Sequence, residues 1–238
     1  MRICALLSGG KDSNYALYRA LQEGLDIECI IVVKSARNDS WLFHTVYPEL
    51  AVLQAEAMGL RDRVYIVEVS GEKDKEFIEF KEALSKLKST VNFDGLLCGA
   101  IASQYQLSRF KKVSEALGLE LYAPLWGIDQ VEYMRKLVEE GFVFIISKIS
   151  TMGLPRAFLG VPVDKSIVEK IIVLAQKYGF NPSFEGGEAE TLVVTAPHYV
   201  NDICIEGSRN SLSEFEHIIE IHRYWLGKKG SNCLSISG

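Results

Sequence analysis

The residues best suited to chemistry lie at 8–13, where the sequence SGGKDS follows the first apolar run and precedes a helix-like stretch. A strand that ends in two glycines and opens a helix brings backbone N–H groups and a helix dipole to one point, an arrangement that binds anions. Gly9 and Gly10 let a phosphate approach the backbone closely. Ser8 and Ser13 supply hydroxyl donors. We therefore predict a phosphate site here.

Lys11 adds a point charge to the same segment. The spacing differs from that of a Walker A loop, in which the glycines are further apart. A Gly-Gly turn between a strand and a helix is the alternative interpretation. The phosphate site is favoured because ligands of parallel sheets lie beyond the carboxyl ends of the strands, where this segment is expected.

A second chemically suggestive segment is EGGEAET at 185–191. Its three carboxylates repel one another unless a cation lies among them, and Mg²⁺, ammonium or a charged substrate group would serve. A solvated hairpin turn is the alternative, but the apolar run that follows would hold Glu190 in one direction. The candidate site residues here are Glu185, Gly186, Gly187, Glu188, Glu190 and Thr191.

Two further loops follow predicted strands. The loop at 36–45 contains Trp41 and His44, and His44 either bonds a nucleotide phosphate or ribose or caps the next helix. Small residues from Gly99 onward would let adenosine or substrate lie close to the backbone, or Ser103 caps a helix there. These alternatives stay open.

The helix predicted after Gly99 carries Tyr105 and Arg109 on one face. Arg109 is a candidate partner for a phosphate or carboxylate, and a solvated arginine is the alternative.

The composition is that of an ordinary globular protein, with 48% hydrophobic and 24% charged residues among 238. A formal charge of −5 disfavours broad, stable nucleic-acid binding. The apolar runs are too short to cross a membrane, and a cleavable signal peptide would remove the segment at 8–13. We therefore expect a cytoplasmic protein.

Five cysteines at 4, 29, 98, 204 and 233 form no CxxC pair. We expect them to be reduced, buried thiols, and neither they nor the histidines predict a structural zinc. Sulfur transfer through Cys98 and Cys204 is a minor alternative.

The pattern predicts an α/β fold. Strands near 2–7, 27–33, 63–69, 94–98 and 119–122 alternate with helices near 13–23, 48–58, 73–88 and 104–117. This order predicts a doubly wound, Rossmann-like parallel sheet. A boundary near 124–128 would divide the chain into an ATP-binding domain at 1–125 and a smaller α+β substrate-binding domain at 126–238.

In that second part, helices are expected near 129–140 and 164–178 and strands near 142–148, 191–195 and 202–206. A final helix is predicted from about 212 to 226, and residues 227–238 are expected to fray.

Taken together, five segments resemble the diphthine–ammonia ligase family of the PP-loop ATP pyrophosphatases, in its stand-alone archaeal-type form. They are SGGKDS at 8–13, FHT at 43–45, GAIASQYQLSR at 99–109, PLW at 124–126 and EGGEAET at 185–191. Ala100 stands where many relatives have Asp, and Ala189 where relatives often have an aromatic residue. These departures leave room for a related substrate.

This resemblance implies an ATP-dependent amidation of diphthine, a modified histidine on elongation factor 2. Ammonia would react with an acyl-adenylate, releasing AMP and pyrophosphate. Asp12 would bind Mg²⁺ or shape the loop, and Lys11 would hold the pyrophosphate. Glu188 and Glu190 would orient ammonium or accept a proton.

Diphthine also carries a trimethylammonium group, which aromatic faces bind. Four aromatic residues could form such a pocket together with a carboxylate: Trp41, Phe43, Tyr105 and Trp126. Core packing is the alternative.

Two other functions stay in view. One is a PP-loop enzyme that adenylates a tRNA base, and the other is a nucleotide-binding sensor without turnover. Ammonium itself is the default nitrogen source, and a homo-oligomer is left open.

Overall fold

A computed structural model describes residues 1–37, 42–43 and 47–238 of the chain. These residues form two compact units. The first comprises Met1–Glu56 and Leu60–Gly127, and the second comprises Ala57–Gly59 and Ile128–Gly238.

The first unit contains a five-stranded parallel sheet in the order β3-β2-β1-β4-β5. Its strands are β1 (Arg2–Leu6), β2 (Asp26–Ser35), β3 (Val64–Val69), β4 (Gly95–Leu97) and β5 (Glu120–Tyr122). The connections contain α1 (Lys11–Gln22), α2 (Pro48–Ala57), α3 (Lys75–Lys88) and α4 (Gln104–Ala116). The predicted doubly wound sheet is thus confirmed, and chain direction reverses between β1 and β4.

Side chains alternate across this sheet, so each strand serves two layers. Cys4 and Leu6 of β1 belong to a core cluster that includes Phe80 of α3 and Phe110 of α4. Ile3, on the opposite face of β1, is also fully buried. Because both faces of β1 are covered, this central strand is apolar and buried from Ile3 to Leu6.

The second unit contains a mixed sheet in the order β10-β8-β9-β6-β7 and two helices. The strands are β6 (Val143–Ile149), β7 (Ala189–Thr195), β8 (Asn201–Ser211), β9 (His217–Lys228) and β10 (Leu234–Ser237). The helices are α5 (Gln130–Glu139) and α6 (Lys165–Tyr178), capped by Asp129 and Asp164.

The predicted final helix at 212–226 is wrong. That segment contains the end of the β8–β9 hairpin, in which β9 pairs with β8 from His217 to Lys228. Residues 218–226 are rich in isoleucine and aromatic side chains, which favour strands, and pairing with β8 and with β6 decides the outcome. The predicted fraying of 227–238 is also wrong, since β10 pairs in parallel with β8.

The expectation of reduced cysteines is likewise corrected. Cys4 is bonded to Cys29 on the neighbouring strand, and Cys204 is bonded to Cys233. The Cα atoms of the two pairs lie 4.5 and 4.9 Å apart, within the range that a disulfide spans. Only Cys98 is free, and it is buried. Sequence spacing alone did not reveal these pairs because sheet register brings the partners together.

Candidate active site

The segment at 8–13 forms the turn between β1 and α1. Gly10 is the N-cap of α1, so no side-chain oxygen caps this helix, whereas Ser103 caps α4 with a bond from the Gln106 N–H. Gly9 has a φ of 89°, in the region that favours glycine. The turn therefore leaves the start of α1 suited to an anion supplied from outside the chain.

The two serines of the segment close the turn on itself. The Ser8 N–H donates to Ser13 Oγ at 3.2 Å, and the two hydroxyl oxygens lie 3.1 Å apart. Ser13 Oγ donates in turn to the Gly10 carbonyl oxygen at 3.2 Å. The predicted phosphate donors therefore also maintain the shape of the loop.

Two buried amides, which sequence reasoning missed, hold the glycine carbonyls. Gln54 Nε2 donates to the Gly9 oxygen at 2.9 Å, and Asn14 Nδ2 donates to the Gly10 oxygen at 3.0 Å. Both side chains are fully buried. A polar residue inside the apolar run of α2 is the sequence signal that could have identified Gln54.

Lys11 and Asp12 form an ion pair beside the loop. The Lys11 Nζ lies 2.9 Å from Asp12 Oδ1 and 3.0 Å from Oδ2. Lys11 is only 2% exposed, while the Asp12 side chain is 25% exposed. The carboxylate is thus the more solvent-exposed partner of the pair.

The donor set at this loop restricts how Mg²⁺ could bind. Among the described residues, no group of three or more His, Cys, Asp or Glu side chains could hold a metal ion. One carboxylate, Asp12, with neighbouring hydroxyls fits a Mg²⁺ that takes most of its ligands from phosphates and water. It does not fit a metal held by the protein alone.

Gly99, after β4, lies against the start of α1. A Cβ at this position would fall 2.7 Å from Asp12 C and from Ser13 N. The backbone of α1 therefore fills the space next to Gly99, and this close packing explains why a residue without a side chain stands there. Its predicted contact with nucleotide stays a prediction.

Arg109 already has partners within the first unit. Its guanidinium is hydrogen-bonded to Asp74 and lies 5.5 Å from the Phe77 ring centroid and 5.0 Å from that of Tyr105. Arg109 thus has partners within the chain, and its predicted contact with a phosphate or carboxylate stays a prediction. One face of Tyr105 is occupied by this cation.

The loop at 36–45 is described only in part, and Trp41 and His44 lie outside the described residues. Leu42 is anchored by two helices, since its N–H donates to Glu76 at 3.0 Å and its carbonyl accepts from Gln106 Nε2 at 3.2 Å. Phe43 packs with Phe80, their ring centroids 5.0 Å apart. Phe43 therefore belongs to the core and not to an aromatic pocket.

Trp126 lies in a short turn after β5. It is partly buried and packs against the core cluster of the first unit. Its backbone N–H donates to the Ala123 carbonyl at 3.1 Å. Gly127 follows with a φ of 75°. Trp126 keeps an exposed fraction and stays a candidate for substrate binding.

In the second unit, Glu188 closes the turn that precedes β7. Its Oε1 accepts the Asn181 N–H and its Oε2 accepts the Gly186 N–H, both at 2.8 Å. A Cβ on Gly186 would approach Glu188 Oε1 to 2.5 Å, so a side chain there would displace the Glu188 carboxylate. Glu188 thus has a structural role that the sequence did not reveal.

Glu190 lies on β7 directly opposite Lys148 of β6, and Thr191 lies opposite Ile146. The Nζ of Lys148 is 2.8 Å from Glu216 Oε1. Lys148 is therefore in register with Glu190, and its ammonium group pairs with Glu216 of the chain itself. Glu185 is half-buried, and Gly187 has a φ of 82°.

Comparison with known proteins identifies the family. The family model for the diphthamide synthase N-terminal domain matches residues 1–121, and that for the C-terminal domain matches residues 129–232. The chain belongs to the diphthamide synthase family. The resemblance seen in the sequence is confirmed.

Similar curated proteins carry one name. The diphthine–ammonia ligase of Bos taurus is 30% identical over 227 residues, covering 87% of this chain and 84% of that protein. The one of Mus musculus is 31% identical over 232 residues, with the same coverage. A solved structure titled a predicted subunit of tRNA methyltransferase from Methanocaldococcus jannaschii is 17% identical, with a TM-score of 0.44 over 83% of this chain and 98% of that one.

The two family matches leave residues 122–128 between them, and the structure divides between Gly127 and Ile128. No helix in the described parts of this diphthamide synthase family member has the length and apolar character needed to cross a bilayer.

Proposed function

We propose that this chain is an ATP-dependent diphthine–ammonia ligase that converts diphthine on elongation factor 2 to diphthamide. The observation that carries the proposal is the loop at 8–13. It joins an uncapped helix start, a buried lysine and two clamped glycines in a member of the diphthamide synthase family. The reaction uses ammonium as the nitrogen source and takes place in the cytoplasm.

The chemistry explains why ATP is needed. A carboxylate does not react with ammonia at neutral pH because its leaving group would be oxide. In the proposed reaction, a diphthine carboxylate oxygen attacks the α-phosphorus of ATP, and the bond from that phosphorus to pyrophosphate breaks. Ammonia then attacks the carbonyl carbon, the bond to the AMP oxygen breaks, and the nitrogen loses a proton.

In this scheme the first unit handles ATP. Backbone N–H groups at the start of α1, with Ser8 and Ser13, bind the phosphates, and Lys11 holds the departing pyrophosphate. Asp12 would be the protein ligand of a Mg²⁺ that enters on the nucleotide and neutralises its charge. Residues 1–125 are the proposed ATP-binding domain.

The second part, residues 126–238, is the proposed substrate-binding domain. Glu190 orients ammonium or accepts its proton, because Glu188 already uses both oxygens to hold its turn. Trp126 remains the aromatic candidate for the trimethylammonium group, since Arg109 already occupies a face of Tyr105.

The cysteines disfavour sulfur transfer to tRNA. Burial raises the pKa of the Cys98 thiol to about 11, and Cys204 is bonded to Cys233. A nucleophilic thiolate needs the opposite environment, exposed and with a lowered pKa.

The test is pyrophosphate release by the purified chain with ATP and ammonium. Diphthine-bearing elongation factor 2 should give release together with a protein-bound amide, detected by mass spectrometry, while bulk tRNA should give none. Release with tRNA alone would favour the base-adenylating enzyme. No release with either acceptor would favour a sensor and overturn the proposal.

A further inference from the structure

A chain of buried amides runs beneath the loop at 8–13. Asn14 Nδ2 donates to the Gly10 oxygen at 3.0 Å and to Gln54 Oε1 at 3.1 Å, and Gln54 Nε2 donates to the Gly9 oxygen at 2.9 Å. Backbone carbonyls only accept, so each amide must present its nitrogen to the loop. The hydrogen-bond pattern therefore fixes the orientation of both amides.

This arrangement determines which way two peptide groups of the loop point. In a trans peptide the C=O and the following N–H point in opposite directions. Holding the Gly9 and Gly10 carbonyls on the buried side directs the N–H groups of Gly10 and Lys11 to the other side, where the Gly10 nitrogen lies 3.5 Å from Ser8 Oγ.

The Gly10 carbonyl is also held by the Asn14 backbone N–H at 3.3 Å and by Ser13 Oγ at 3.2 Å. The amide of Gln54 therefore matters most for the peptide between Gly9 and Gly10, which consecutive glycines would otherwise allow to flip at little cost.

The location of Gln54 makes this contact specific. It lies on α2, 45 residues along the chain from Gly9. Both Gln54 and Asn14 are fully buried, with 0% of their surface accessible to solvent. Two buried amides are costly unless both are bonded. A contact that only joined α1 to α2 would not need to reach the carbonyl oxygens of the loop.

We propose that Gln54 and Asn14 are positioning residues of the nucleotide site, which hold the Gly9–Gly10–Lys11 backbone with its N–H groups turned toward the phosphates of ATP. This inference rests on the proposed function. Neither residue touches ATP; they act through the loop.

The main test replaces Gln54 with methionine, which has a similar volume and no donor. Methionine removes both buried hydrogen bonds of Gln54, the one to Gly9 and the one from Asn14. The full-length, folded variant should therefore bind ATP about tenfold more weakly or worse by isothermal titration calorimetry. The matched control is Asn201→Leu, which removes another amide donor to a carbonyl, Asn201 Nδ2 to Gly227 O at 3.1 Å in the second unit. The control should bind ATP as the wild type does.

A second variant gives a readout that a merely structural role would not move. Gln54→Glu keeps the shape and can donate to Gly9 only when its carboxyl group is protonated. Its ATP affinity relative to wild type should therefore recover as pH falls from about 7.5 to about 5.5. This variant decides the question if Gln54→Met does not fold.

Wild-type ATP affinity in folded Gln54→Met, or a pH-independent wild-type affinity in Gln54→Glu, would overturn the inference. Failure of the wild-type chain itself to bind ATP would overturn the proposed function instead, so the two failures are distinguishable.

Discussion

The carboxylate of Glu188 accepts the backbone N–H of Asn181 at 2.8 Å, closing a turn of the second unit. Its other oxygen accepts the Gly186 N–H at the same distance. Two charge-assisted bonds to backbone indicate a group that holds the loop.

Replacing Glu188 with glutamine should therefore destabilise the protein. The new NH₂ group would face a backbone N–H, so one bond is lost and two donors meet. We expect the free energy of unfolding to fall by about 1–3 kcal/mol, measured by urea denaturation. Unchanged stability would show that the two bonds do not support the turn.

Replacing Glu190 with glutamine should impair the use of ammonium and leave the stability of the protein unchanged. The amide keeps the size of the side chain but neither attracts ammonium nor accepts its proton. We expect the KM for ammonium to rise about tenfold or more, with the KM for ATP unchanged, in the pyrophosphate-release assay. If only Glu188→Gln impaired ammonium use, the assignment to Glu190 would be withdrawn.

Lys11→Met tests the role of the buried cation. Methionine fills the same space, so packing is retained while the charge that would meet the pyrophosphate is lost. We expect kcat/KM for ATP to fall roughly a hundredfold or more, from the kinetics of pyrophosphate release. Lys136→Met, which breaks only an ion pair to Glu140 on α5, is the control.

The secondary structure of the first unit was predicted closely from the sequence because local residue patterns mark its helices and strands. Pro48 begins α2, and the central strand β1 is a continuous apolar and buried run from Ile3 to Leu6. The segment at 8–13 lies, as predicted, between a strand and a helix, because two glycines after an apolar run favour a turn. What local pattern could not supply was Gln54, whose partner lies on a distant element.

The second unit shows where such reasoning fails. Residues 212–226 suit either a helix or a strand by composition, and the pairing of β9 with β8 and with the sequence-distant β6 decides for a strand. The role of Glu188 was also hidden, since a carboxylate that binds its own backbone looks the same in sequence as one that awaits a ligand. The disulfide partners were missed because strand register, and not spacing in the sequence, brings the cysteines together.

His198 predicts how stability depends on pH. Burial, and secondarily the charge of Lys229, lower the pKa of its imidazole to about 3. The ring packs 5.0 Å from that of Tyr199 and 5.8 Å from that of Phe142. At pH values between about 6.5, the ordinary pKa of histidine, and about 3, this histidine is protonated in the unfolded chain but not in the folded chain. Stability should therefore be lost as pH falls through this window.

The expected slope is at most about 1.4 kcal/mol of unfolding free energy for each pH unit, measured by urea denaturation between about pH 7 and pH 5. His198→Phe keeps an aromatic ring but cannot take up a proton, so its slope should be smaller than that of the wild type. Tyr199→Phe is the matched control, because its buried hydroxyl, whose pKa burial raises, does not titrate in acid. Equal slopes in wild type and His198→Phe would show that His198 does not account for the acid sensitivity.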